Sequence, residues 1–194
     1  SPWEAQALLR ALPVAGSKNL GAAFTAMIDP LRWPVDGLDA HAVREARRLK
    51  ARMESERLPR GADPSVHTKL GRGGLSDVEW TVQLLQMQHA AEYPQLQTTN
   101  TLEALAGCVE VGVLHSRDAD TLRQAWMLAT EVRDALMLLR GRPGDSLPSD
   151  VNEVASLAAV IGRRGAAASQ IRDDYLRITR RSRGVMERIF YGEE

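Results

Sequence analysis

Apolar residues recur at helical spacing along almost the whole chain, and no stretch alternates with period two for long. The pattern predicts an all-α protein: a helical bundle with a short N-terminal helical arm. Pro2 opens an amphipathic helix over residues 3–10 that Pro13 and Gly16 stop. A second helix is predicted over residues 20–28, after which Pro30, Pro34 and Gly37 break the chain. Residues 1–37 are therefore expected to be an arm or linker, and residues 38–194 the bundle domain.

A charged helix is expected over residues 39–58. Pro59, Gly61 and Pro64 then open a long loop that ends in Gly71-Arg72-Gly73-Gly74. The next helix is predicted over residues 75–91. Asn100 and Glu103 suit a capping box for the following one, which Gly112 closes. Ser116 or Asp118 can cap a long helix to Arg140, with Leu122, Trp126, Ala129, Val132, Leu136 and Leu139 on its buried side. Gly141, Pro143 and Gly144 form a turn, and two further helices are expected over residues 150–161 and 166–190.

The helix after the glycines carries an unusual pattern. At 100° per residue, Leu75, Val78, Val82 and Leu85 share one stripe, and Trp80, Leu84 and Met87 another, nearly opposite. Such a helix is sandwiched between partners. Ser76, Glu79, Gln83 and Gln86 form one polar strip between the stripes; Asp77, Thr81 and Gln88 form the other. These groups must meet water, one another or another molecule. Asp77 and Glu79 point about 160° apart on a helix, which argues against two-carboxylate chemistry or a shared metal.

Lys69-Leu70-Gly71-Arg72-Gly73-Gly74 leads into this helix start. Backbone N–H groups at a helix N-terminus, with Lys69 and Arg72 beside them, could hold a phosphate or carboxylate. The spacing is not that of the phosphate-binding loop of ATPases, and no Lys-Ser/Thr follows the glycines. The alternative is a tight glycine turn capped by Ser76 or Asp77.

Composition narrows the class. The chain has 194 residues, and its 25 Lys+Arg balance its 25 Asp+Glu, so net charge draws it neither to nucleic acid nor to membrane. The lone Cys108 excludes an internal disulfide and fits a reducing compartment, so a cytoplasmic protein is expected. No apolar run reaches the roughly 20 residues that span a bilayer. The chain starts at Ser1 without an initiator Met and reads as an excised piece of something longer. His41, His67, His89 and His115 lack zinc-like spacing with the cysteine; most read as surface or loop residues, His67 being the only one near residues 69–74, and no metal site is expected. The last helix holds Arg163, Arg164, Arg172, Arg177, Arg180, Arg181, Arg183 and Arg188, and residues 44–57 are also basic. A solvated face paired with Asp and Glu is favoured over a nucleic-acid surface.

The run Lys69-Leu70-Gly71-Arg72-Gly73-Gly74-Leu75-Ser76-Asp77-Val78-Glu79-Trp80, followed by Val82-Gln83, resembles a signature of the glutamine synthetase adenylyltransferase family. Its pattern there is approximately K-L-G-x-G-G-[IL]-x-D-[IV]-E-[FW]. The helical domain type is shared, more loosely, by the uridylyltransferases that modify the PII nitrogen-signalling protein. Trp3-Glu4-Ala5-Gln6-Ala7-Leu8, Pro13-Val14-Ala15-Gly16, Thr101-Leu102-Glu103-Ala104-Leu105 and the terminal Glu187-Arg188-Ile189-Phe190-Tyr191-Gly192 also look like family stretches. Arg72 stands where many members have proline, and Ser76 where many have arginine.

The resemblance implies the helical domain that follows the second, adenylylating catalytic domain of a bifunctional enzyme, running to its C-terminus. Such enzymes add AMP to, or remove it from, a tyrosine of glutamine synthetase, using ATP and Mg²⁺. The implied partners are an upstream nucleotidyltransferase domain, from which the arm would lead, glutamine synthetase and the PII protein. Catalysis there needs a Gly-Ser pair and, roughly ten residues later, an Asp-x-Asp on a strand that holds the metal. Gly16-Ser17 has no such carboxylates after it, and Asp118-Ala119-Asp120 sits at an expected helix start, where Asp is an ordinary first-turn residue. No catalytic residue and no cofactor are therefore expected in this stretch alone. Lys69, Gly71, Arg72, Gly73, Gly74, Asp77 and Glu79 are the residues expected to meet phosphate, nucleotide or a domain interface. A pure docking platform for glutamine synthetase or the PII protein is the other reading, and a helical nucleic-acid binder a third.

Overall fold

A computed structural model describes residues 2–163, 165 and 169–193. Among them are eight α-helices and no strand: α1 (Pro2–Leu8), α2 (Lys18–Arg32), α3 (Ala40–Glu56), α4 (Leu75–His89), α5 (Thr101–Glu110), α6 (Ser116–Arg140), α7 (Val151–Val160) and α8 (Ile171–Met186). A 3₁₀ turn, Pro94–Leu96, precedes α5, and a π turn, Glu187–Tyr191, follows α8. The all-α expectation holds. The helix expected from residue 166 has its first turn outside the described residues.

The chain divides into two compact units that interleave along the sequence. Unit 1 comprises Ser1–Ala51 and Glu79–Ala119; unit 2 comprises Arg52–Val78 and Asp120–Glu194. Helices α3, α4 and α6 each contribute to both. The joint expected at residue 37 lies inside unit 1, where a Cβ on Gly37 would stand 2.8 Å from the Gln88 carbonyl oxygen.

In unit 1, Ser17 caps α2 by accepting the Leu20 N–H. The helix expected over residues 20–28 runs instead from Lys18 through Pro30 to Arg32. Pro30 removes one N–H donor near the C-terminal end, a position where little of the helix remains to disrupt. The Trp33 N–H donates to the Asp29 carbonyl, and the buried Arg32 binds the Asp29 carboxylate and the Ala11 carbonyl, so the last turn is held. Asn100 caps α5 by accepting from the Leu102 and Glu103 N–H groups. The reciprocal half of the capping box is absent: Glu103 accepts from the Thr98 hydroxyl, which itself accepts the Asn100 N–H.

In unit 2, Val66, Leu75, Leu128, Ala129, Val132, Ala135, Leu136, Leu147, Leu157, Ile171 and Tyr175 form one apolar core. Leu122, Ala129, Val132 and Leu136 of α6 are fully buried as expected, but Trp126 only partly and Leu139 is exposed. Leu139 lies at the azimuth of the buried stripe, yet the core ends one turn before the helix does. Asp150 caps α7 through the Asn152 and Glu153 N–H groups.

Candidate functional site

The segment around residues 66–78 belongs wholly to unit 2, and hydrogen bonds hold it along its length. The Thr68 N–H and hydroxyl donate to the Asp145 carbonyl, the Leu147 N–H donates to Val66, and His67 bridges Ser146. His67 lies in the loop and is buried. Its Nδ1 accepts the Leu70 N–H at 3.0 Å, a bond that requires the neutral imidazole. Burial holds its pKa below the ordinary histidine value, against the upward pull of Asp145.

Every backbone N–H from Gly71 to Val78 is donated inside the loop and helix start. Gly71 donates to the His67 carbonyl, Arg72 to Pro64, Gly73 to the Asp77 carboxylate, Gly74 to Gly71, Leu75 to Thr68, Ser76 to Lys69, and Asp77 and Val78 to Gly74. The backbone cradle that an anion would need is filled by carbonyl and carboxylate oxygens of the protein itself. Of the two readings, the glycine turn capped by Asp77 is the one observed. Lys69 and Arg72 extend from it with exposed side chains, while Gly71, Gly73 and Gly74 are buried.

Asp77 is 1% exposed and sits in a network. Its Oδ2 accepts from Gly73 N at 2.7 Å and from Arg183 Nη1 at 3.1 Å. Arg183 also donates to Glu54 at 2.9 Å and to Glu187 at 2.7 Å, and its guanidinium lies 5.6 Å from the Tyr191 ring centroid. The Tyr191 hydroxyl donates to the same Glu54 oxygen. Burial alone would lower the Arg183 pKa, but the bonds to Glu54 and Glu187 and the Asp77 charge outweigh it and hold the cation firmly charged. Burial, then the nearby Asp77 charge, raises Tyr175, and burial with Glu54 raises Tyr191. Three carboxylates around one guanidinium tie the loop to α3 and α8 within this unit.

Glu79 belongs to unit 1. Its carboxylate accepts from Arg10 at 2.7 Å, and four residues on, Gln83 accepts from Gln6 at the same distance. The arm thus packs on α4 through polar pairs. Gln86 donates to the Leu96 and Thr98 carbonyls. Leu75, Val78, Val82, Leu85, Trp80, Leu84 and Met87 are all buried, as a helix apolar on two faces requires.

Asp77 and Glu79 therefore serve different partners, and the structure does not bring all the expected residues to one point. Arg183, Glu54 and His67 were not legible as site residues. Arg183 looked like any other arginine of a basic helix, and Glu54 lies 129 residues away in sequence. Of the other arginines in that stretch, Arg163 and Arg177 pair with Asp174, and Arg172 with Asp63. That is the Asp/Glu-paired face the sequence suggested.

The Asp118-Ala119-Asp120 triplet lies at the start of α6, with Asp118 in its first turn. Among the described residues, no group of three or more His, Cys, Asp or Glu side chains is placed to hold a metal ion. No helix among them is long and apolar enough to cross a membrane.

A family model described as GlnD PII-uridylyltransferase matches residues 44–190. Curated relatives carry the name bifunctional glutamine synthetase adenylyltransferase/adenylyl-removing enzyme. That of Streptomyces avermitilis is 58% identical over 98% of this chain and 19% of its own length. Those of Streptomyces coelicolor and Mycobacterium tuberculosis are 55% and 52% identical, each over 97% of this chain and 19% of their own length. The chain spans about one fifth of the length of the curated relatives it matches.

Proposed function

From the premise that this chain belongs to the GlnD PII-uridylyltransferase family, we propose that it is a helical accessory and regulatory domain of an enzyme that adenylylates and deadenylylates glutamine synthetase, and so controls nitrogen assimilation. The observation that carries this reading is the locked turn that fixes Lys69 and Arg72 as exposed cations beside the start of α4. Asp77 shapes the loop and Glu79 ties α4 to the arm, so neither is free to take part in chemistry directly. The domain packs on an upstream nucleotidyltransferase domain of the same polypeptide, and the two cations meet that interface or the phosphates of ATP there.

Among the described residues no group of three or more His, Cys, Asp or Glu side chains is placed to hold the Mg²⁺ that ATP chemistry requires. Transfer of AMP belongs to carboxylates elsewhere in the longer polypeptide, and this domain alone is expected to be inactive. Its setting is cytoplasmic. A second reading, a docking platform for glutamine synthetase or the PII protein that touches no nucleotide, is favoured by one observation: the loop N–H groups are all engaged internally.

The test compares AMP transfer from ATP to glutamine synthetase by this domain, the catalytic domain alone and the two joined. Only the joined form is expected to work at full rate. Lys69→Ala in the joined form should cost about tenfold or more in kcat/KM, the worth of one charge-assisted hydrogen bond. A catalytic domain equally active alone, with Lys69→Ala silent, leaves the docking platform, and binding of the PII protein becomes the next measurement.

A further inference from the structure

Among the described residues of unit 1, every exposed large hydrophobic lies within residues 12–35. On α2, Leu20, Phe24, Met27 and Leu31 are between 39% and 71% exposed. Their 4-3-4 spacing places them on one stripe, the seam pattern by which one helix packs against another. Ile28 and Arg32, the buried residues of this helix, lie about 70° and about 110° round from the centre of the stripe, so the stripe itself is left uncovered. Between Lys18 and Arg32 the only charged residue is Asp29, on the face opposite the stripe, and the exposed Ala23 lies beside the stripe, so no charged group there blocks close approach. A water-facing helix carries charges on its outer side; this one carries a second apolar face.

We propose that the Leu20–Phe24–Met27–Leu31 face of α2 is the seat of an apolar helix from the remaining part of the same polypeptide. The inference rests on reading this chain as a segment of a longer enzyme, since its relatives hold about four-fifths of their length outside the matched stretch. Size argues for this occupant over a second copy of the chain. A 15-residue helix is about 22 Å long and about 10 Å wide, so one face offers on the order of 200 Å². A stable complex of separate molecules buries about 800 Å² per partner. A tethered partner needs far less, because the tether holds it at up to about millimolar effective concentration.

The test places a thiol on the stripe. Met27→Cys is introduced into the 194-residue chain and into the longer enzyme, and maleimide labelling at residue 27 is followed by peptide mass spectrometry. Cys108 is silent, being fully buried with its thiol pushed up to about 12 by that burial. Labelling is expected to be fast in the short chain and about tenfold or more slower in the longer enzyme, as for a group reached only through local opening. Hydrogen exchange of the α2 amides in the unsubstituted proteins should show the same contrast.

Equal labelling and exchange in both contexts overturns the proposal. Concentration-dependent protection in the short chain overturns it too, in favour of a second copy. Because neither readout is AMP transfer, failure of this inference and failure of the proposed function are separately visible.

Discussion

Gly73 has a φ of 72°, and a Cβ there would stand 1.8 Å from the Thr179 carbonyl oxygen. A left-handed backbone costs a non-glycine residue about 1–2 kcal/mol before any clash is counted, so Gly73→Ala must push the loop off α8. Arg183→Met is expected to cost about 3–5 kcal/mol, because it removes the guanidinium that the buried Asp77 shares with Glu54 and Glu187. Arg10→Ala breaks an exposed pair and should cost at most about 1 kcal/mol. Urea unfolding of the three variants ranks them; Arg183→Met as mild as Arg10→Ala would refute the assignment of Arg183 as a stabilising partner of the buried Asp77.

His67 adds a pH dependence. Its folded pKa lies below the unfolded value of about 6.5, so the folded state binds the proton less readily than the unfolded chain. Its contribution is fully present above about pH 6.5 and is lost as pH falls through the lower folded value. The melting temperature should fall from pH 7 to pH 5 more steeply for the native protein than for His67→Asn, whose Oδ1 can still accept the Leu70 N–H. Equal slopes would remove His67 from the account.

At the scale of elements, the end signals in the sequence were good guides where the chain alone satisfies them. Asn100 caps α5 through its own next turn as its spacing suggested, Asp150 does the same for α7 in the structure, and each →Ala substitution should cost about 1 kcal/mol in urea unfolding. Glu103→Ala should cost α5 less, since Glu103 does not return to the Asn100 N–H; an equal loss would restore the full capping box. Pro30 misled for a physical reason. A proline ends a helix by deleting a donor and crowding the preceding turn, but near a C-terminus that loss is small. Arg32, held by Asp29 and a carbonyl from outside the helix, decides where α2 stops. The two apolar stripes of α4 were legible from periodicity and proved buried, because spacing alone sets which residues share a face.

Across the whole molecule, the α-class, most helix positions and the doubly buried nature of α4 followed from the sequence by itself, since each depends on neighbours within a few turns. The motif of residues 69–80 likewise stood out as a run of fixed spacing, and its family is the one that the relatives bear out. What the motif does locally was not legible. Whether the loop N–H groups face an anion or the protein depends on oxygens brought by Pro64, His67 and Asp77, and on how the chain turns between them. That Asp77 and Glu79 face different ways was legible from helical spacing, but the division of the chain into two interleaved units joins residues far apart in sequence. Arg183 finds Asp77 across 106 residues, and no local pattern records such a meeting. Periodicity determined which residues share a face; only the tertiary structure decided which faces are covered and what each polar group meets there, because a buried charge takes its role from the partner that folding brings to it.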